Sequence, residues 1–168
     1  GLPNTRHLRQ RLIAELTRLR ERGGYSALLQ VELDREEDQD PPRGDELLRT
    51  VAHALAHRLR EGDVLARGEG DAFLLLLTQV QVDNIDVLRS SFQQLLDGRE
   101  YTVGGNSRTV KARIGAELLT PGALTADEVL ERARAAARGK NPDEPGDAGP
   151  VGEQTLVTPI NSPSERLR

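Results

Sequence analysis

The chain reads as an α/β (α+β) domain, and three observations predict it. Apolar residues recur at helical spacing in four separate stretches, alternation with period two replaces that spacing between them, and two apolar runs bracket a glycine-bearing turn as in a β-hairpin. The predicted order is α, β, α, β, β, α, β, β, α. With 168 residues there is length for one folded unit and a tail.

Leu8, Leu12, Ile13, Leu16 and Leu19 give residues 5–22 an apolar stripe, closed by Gly23 and Gly24. In residues 27–34, Leu29, Val31 and Leu33 alternate with Gln30, Glu32 and Asp34, which predicts a strand with one apolar face and a polar face ending in two carboxylates. Residues 35–43 are charged and broken by Pro41 and Pro42, a loop, after which Asp45 caps a second helix carrying Leu47, Leu48, Val51, Ala52, Leu55 and Leu59. Val64–Ala66 and Ala72–Leu77 form the hairpin around Arg67, Gly68, Glu69, Gly70 and Asp71. A third helix runs from about Asp83 to Leu96 with Ile85, Leu88, Phe92 and Leu95 inward, strands follow over Tyr101–Val103 and Val110–Leu118, and a last helix covers about Ala126–Arg138. From Asn141 to Glu153 the chain is rich in Pro, Gly and acid and builds no packed core. Residues 142–168 are therefore expected to be a linker and tail, with one added edge strand at 155–160, and residues 1–141 the domain.

Composition removes several functions. There is no cysteine, hence no disulfide framework, thiolate metal site or thiol nucleophile, and a reducing, cytoplasmic setting is expected. No apolar run reaches the roughly 20 residues that span a bilayer, so no membrane contact is expected of this segment. It starts at Gly1 and contains no methionine, as expected of a piece of a longer protein. The net charge of −4 comes from 23 basic and 27 acidic residues interleaved along the chain, which leaves no broad basic face for nucleic acid. Aromatic residues are 2% of the chain, too few for the stacking platforms of single-strand binders.

Four stretches in order carry a resemblance: Gly1-Leu2-Pro3-Asn4, Gly44-Asp45-Glu46-Leu47-Leu48, Arg60 to Phe73, and Ala112-Arg113-Ile114-Gly115-Ala116. Together they resemble the GGDEF domain, the fold of the diguanylate cyclases of bacterial cyclic di-GMP signalling. The resemblance implies a central, mostly antiparallel sheet flanked by helices, of the nucleotidyl-cyclase kind. It also implies a reaction in which two GTP-loaded domains meet head to head, with carboxylates holding Mg2+ and a reader for guanine.

The signature hairpin here reads Glu69-Gly70-Asp71-Ala72-Phe73. Asp71 keeps the acidic third position and Glu32 stands where the family has a metal-binding aspartate, so the two form a candidate metal pair; otherwise they are a turn aspartate and a polar strand face. Asp45 matches one guanine-reading residue, or serves as a helix cap alone. Against catalysis, Glu69 replaces a glycine that lies close to phosphate. At about 5 Å and an effective dielectric near 20 one such like-charge pair costs on the order of 3 kcal/mol. Ala72 replaces a glutamate, the loop after Asp34 is short and lacks the guanine-reading asparagine, and the phosphate-contacting lysine falls on Ala136, with Arg138 a poor substitute.

One ligand pattern is intact. Arg60-Glu61-Gly62-Asp63 fits the family's RxxD inhibitory site for cyclic di-GMP, six residues ahead of Glu69 as in the family. Arginine forks onto guanine O6 and N7, and aspartate accepts from N1 and N2. The bare pattern also fits Arg35 to Asp38, and its other reading is a solvated helix end. His53 and His57, four apart, read as one side of a helix without a third metal ligand.

These residues lead to a non-catalytic regulatory domain that binds cyclic di-GMP at Arg60 and Asp63 or signals to a neighbouring domain, such as a phosphodiesterase. GTP is not the expected ligand, and Mg2+ enters only with residual GTP binding. The alternatives are an active diguanylate cyclase and a nucleotide-free interaction or dimerisation module.

Overall fold

The computed structural model describes residues 2–34, 41–122 and 124–139, with the backbone alone for residues 41–45. Helix α1 (Thr5–Arg22) starts at Asn4, whose side chain accepts from His7 N at 3.0 Å, and stops at Gly23, where φ is 77°. Strand β1 (Ser26–Asp34) follows, then α2 (Pro41–Ala56), the hairpin β2 (Val64–Arg67) and β3 (Ala72–Leu77), and α3 (Ile85–Leu96) behind a 3-10 turn. The chain then runs through β4 (Glu100–Val103), β5 (Asn106–Thr109), β6 (Lys111–Leu119) and α4 (Ala126–Ala137).

The main sheet has the order β2-β3-β1-β6, and every neighbouring pair is antiparallel. Its odd-numbered β1 side chains, Leu29, Val31 and Leu33, pack with Phe73 and Leu75 against α2 and α3. Leu28, Leu74 and Leu76 face the other way, onto α1 and α4. The expected α/β (α+β) fold, a mostly antiparallel sheet flanked by helices, is what forms.

Five local expectations differ. Strand β1 is not polar on one face: Ser26, Leu28 and Gln30 are buried as well, because α1 and α4 cover that side. The hairpin, expected in the middle of the sheet, is not central as a unit, since β3 lies inside the sheet and β2 at its edge. Helix α2 begins at Pro41, so Asp45 lies inside it rather than capping it, and residues 41–43 are helix rather than loop. Proline suits a first helical position because its missing N–H has no intrahelical partner there anyway. Strand β5 was not expected, for Asn106-Ser107-Arg108-Thr109 has no apolar alternation. It forms because Gly104 and Gly105, at φ 59° and 82°, make a two-residue turn that pairs β4 with β5. Ile13 is 42% exposed, beside the α1 stripe rather than in it. The tail of residues 142–168 and its edge strand at 155–160 lie outside the described residues.

Two contacts seat the helices on the α1–α4 side. Gly115 of β6 lies directly under α4: a Cβ there would be 2.5 Å from Ala133 O and 2.6 Å from Ala136 C, and in contact with Ala137 N. Glu15 of α1 is buried at 8% exposure, accepts from the Ser26 hydroxyl of β1 and pairs with Arg18. Burial pushes the Glu15 carboxyl up, but the hydrogen bonds from Arg18 and Ser26 outweigh it and leave the group below the ordinary 4.5.

Gly115→Ala must lift α4 from the sheet, so its urea midpoint should drop by the equivalent of about 3 kcal/mol; an unchanged midpoint would show that the helix moves freely. A depressed carboxyl contributes stability that is present above its unfolded value and lost as pH falls through its folded one. Glu15→Gln should therefore lower the melting temperature at pH 7 more than at pH 3, and an equal loss at both would argue that the charge is irrelevant.

Candidate functional site

The hairpin tip is tied down by two main-chain bonds and one from the Arg67 guanidinium. Gly68 N donates to Ala72 O at 2.9 Å, Leu33 N of β1 donates to Asp71 O at 2.9 Å, and Arg67 donates to Gly70 O at 2.9 Å. The Arg67 guanidinium also lies over the Phe73 ring, 5.6 Å from its centre. Gly70 has φ 65°, a left-handed conformation that suits glycine. Glu69 and Gly70 are exposed, Asp71 is half-buried, and Ala72 and Phe73 are buried.

Glu32 sits in register between Ala72 on β3 and Arg113 on β6. Its side chain is only 12% exposed and is surrounded by donors. Gln30 Nε2 donates to Oε2 at 3.0 Å, Arg138 Nε lies 3.3 Å from Oε2, and an Arg113 nitrogen lies 3.6 Å from Oε1 and 3.1 Å from Asp34. Arg138 ends α4, so the cation nearest the expected phosphate-contacting position is turned onto Glu32 instead. Among the described residues, no three His, Asp or Glu side chains converge as metal ligands. Arg113 carries no role in the sequence reading; only the β1–β6 register brings it to Glu32.

An apolar cavity of about 420 Å³ lies between α2, the start of the chain and the hairpin, lined by Leu2, Leu48, Ala52, Arg49, Arg67 and Phe73. Asp45 precedes Leu48 and Ala52 by three and seven residues on α2, which sets its backbone on the same helix face.

Arg60 and Asp63 come together at the far end of the hairpin. Asp63 Oδ2 accepts from Arg60 N at 2.9 Å, and Oδ1 accepts from Thr78 N at 2.9 Å and from the Thr78 hydroxyl at 3.3 Å. The Arg60 guanidinium donates to Thr78 O at 2.7 Å and Gln79 O at 3.3 Å. Gln79 is left-handed at φ 55°, a conformation that costs a non-glycine residue roughly 1–2 kcal/mol. Beside this knot lies a cavity of about 360 Å³ lined by Arg58, Arg60, Asp63, Gln79, Asn84 and Phe92. Neither the helix-end reading nor the ligand reading of the sequence included this fastening role.

The overall fold agrees with comparison to known proteins. The family model described as "Diguanylate cyclase, GGDEF domain" matches residues 1–142. The chain belongs to the GGDEF domain family. It is 33% identical over 87 residues to the diguanylate cyclase DgcP of Pseudomonas aeruginosa, a match that covers 49% of this chain and 13% of that protein. The GGDEF domain of YfiN (TpbB) from Pseudomonas aeruginosa superposes with a TM-score of 0.74 at 25% identity, over 82% of this chain and 89% of that one. The diguanylate cyclase SiaD of the same organism, solved with its activator SiaC, gives 0.72 at 28% identity over 83% of this chain and 55% of that one. The chain thus spans a small part of DgcP and about half of SiaD.

Asp63→Ala leaves Thr78 N, the Thr78 hydroxyl and Arg60 N without their acceptor in a half-buried to exposed turn and should cost about 1 kcal/mol in urea denaturation, whether or not a ligand is present. A loss below a few tenths would mean that water replaces the carboxylate.

Proposed function

We propose that this chain is a non-catalytic, regulatory GGDEF domain of cyclic di-GMP signalling, acting in the cytoplasm as part of a longer protein. The observation that carries this reading is the neutralisation of Glu32 by Arg113 and Arg138. A magnesium ion there would meet two guanidiniums already seated on the carboxylate. Ala72 leaves a methyl group as the cross-strand neighbour of Glu32 on β3. Glu69 adds an exposed negative charge at the tip, which repels a triphosphate. Asp71 alone does not make a magnesium site of the kind that holds nucleotide phosphates.

The ligand of this domain is cyclic di-GMP, taken at Arg60 and Asp63. The adjoining cavity, with Arg58 and Arg60 on its wall, supports that reading. Asp63 spends most of its lone pairs on Thr78 and Arg60 N, so Arg60 carries the recognition of guanine and Asp63 fixes its position. A neighbouring domain, such as a phosphodiesterase, receives the signal.

With GTP and magnesium the protein should make no cyclic di-GMP above a trace, and turnover like that of an intact cyclase would overturn the non-catalytic reading. By calorimetry cyclic di-GMP should bind, and Arg60→Ala should weaken it by roughly 1–3 kcal/mol, the worth of a good bidentate pair. Asp71→Ala should leave binding nearly unchanged. Equal losses at Arg60 and Asp71 would place the ligand elsewhere. No binding of cyclic di-GMP or GTP would leave a nucleotide-free interaction module.

A further inference from the structure

A pair of histidines has no part in the nucleotide reading, although His53 also lines the apolar cavity beside the hairpin. His53 belongs to the last turn of α2, and His57 follows the helix end in a turn whose N still donates to His53 O at 3.2 Å, so the helical i, i+4 spacing is kept. Both residues are exposed. Their rings meet edge to face with centres 4.7 Å apart, and the two Nε2 atoms are 3.2 Å apart. They stand on the wall of a cavity of about 530 Å³ between α2, α3 and β4, with Arg58, Arg99, Glu100 and Tyr101.

We infer that His53 and His57 form a two-imidazole chelate for a divalent transition metal of the copper, nickel or zinc class. Imidazole nitrogens bind such ions at about 2.0–2.1 Å, and bond angles between about 90° and 110° then set two ligand nitrogens about 2.9–3.4 Å apart. The observed separation falls inside that interval, so both rings need only a small rotation to aim their lone pairs at one ion. Without metal the two Nε2 atoms lie within hydrogen-bond distance, the direction being set by the tautomers. A neutral imidazole with its proton on Nδ1 presents Nε2 as a ligand, so chelation takes both rings in that tautomer.

The surroundings set which metals qualify. Arg58 and Arg99 line the same cavity and repel any dication, while Glu100 is the one carboxylate among the residues that line it. Hard ions such as magnesium, which gain little from imidazole, are therefore excluded. Metals with a high intrinsic affinity for nitrogen ligands remain. Water or a second molecule's side chains fill the other coordination positions. The histidine site does not rest on the nucleotide reading, although Arg58 lines both this cavity and the one beside Arg60.

The test is calorimetric titration of the protein with copper(II), nickel(II) and zinc(II) salts, with magnesium as comparison. One equivalent of at least one transition metal should bind, with none of the magnesium. His53→Ala and His57→Ala should each weaken binding on the order of a hundredfold, since a tethered second ligand raises avidity on that scale. His7→Ala, which alters the chain's one other histidine, should change nothing, and circular dichroism should show all three variants folded. The copper(II) electron paramagnetic resonance spectrum should show two nitrogen couplings, reduced to one in either variant. Binding that survives His53→Ala, a single nitrogen coupling in the parent protein, or no transition-metal binding at all would each overturn the proposal.

Discussion

A carboxylate on a strand covered on both faces has to be neutralised by something the fold provides. Glu32 is in that position: β1 lies inside the sheet with α2 and α3 on one side and α1 and α4 on the other, and the Glu32 side chain is 12% exposed. A carboxylate with so little access to water is costly to leave unpaired. In this chain the partners are the guanidiniums of Arg113 and Arg138, with the Gln30 amide donating beside them. A cation covalently attached to the chain cannot be exchanged with solvent, whereas a bound metal ion can.

The placement of those guanidiniums depends in turn on a missing side chain. Arg138 reaches Glu32 because α4 rests on β6 with no atom beyond the backbone at Gly115. Any larger residue there would raise the C-terminal turn of α4 and carry Arg138 away from the carboxylate. Arg113 comes from the neighbouring residue pair of the same strand, fixed opposite Glu32 by the antiparallel ladder. Individually these half-exposed ion pairs add little stability, as is usual at a protein surface. Their effect is local: they satisfy Glu32 and Asp34 together and leave the upper end of β1 without a free acidic pair.

Much of this was legible from periodicity. Leucines at helical spacing located α1 to within a residue, and the apolar run Ala72-Phe73-Leu74-Leu75-Leu76-Leu77 was read as a strand with its true ends. Where the reading failed, the reason is tertiary. Gln30 and Ser26 look like solvent-facing residues of β1, and only the arrival of α4 and α1 buries them. Strand β5 has no apolar pattern because its hairpin packs through Tyr101 and Val103 of β4 alone, with the turn supplied by two glycines. The Glu32–Arg113–Arg138 cluster joins residues far apart in sequence, and nothing in local spacing reports a strand register or the direction of a helix end.

The Arg60–Asp63 pair illustrates a different ambiguity, one of chemistry rather than distance. The same donors and acceptors that match a guanine edge also match the ends of a main chain, and here both residues are engaged with Thr78, Gln79 and each other. The two uses compete unequally. Asp63 accepts three hydrogen bonds through its two oxygens, so little acceptor capacity is left for a ligand. Arg60 has five N–H groups, and its two recorded side-chain bonds leave from one nitrogen. Nε and Nη1 remain to donate singly to a guanine or a phosphate, whereas a two-pronged grip needs Nη2, which both forked edges share, to leave Thr78 or Gln79. The arginine can therefore hold the left-handed Gln79 turn and touch a ligand through single bonds, while the aspartate serves the loop first.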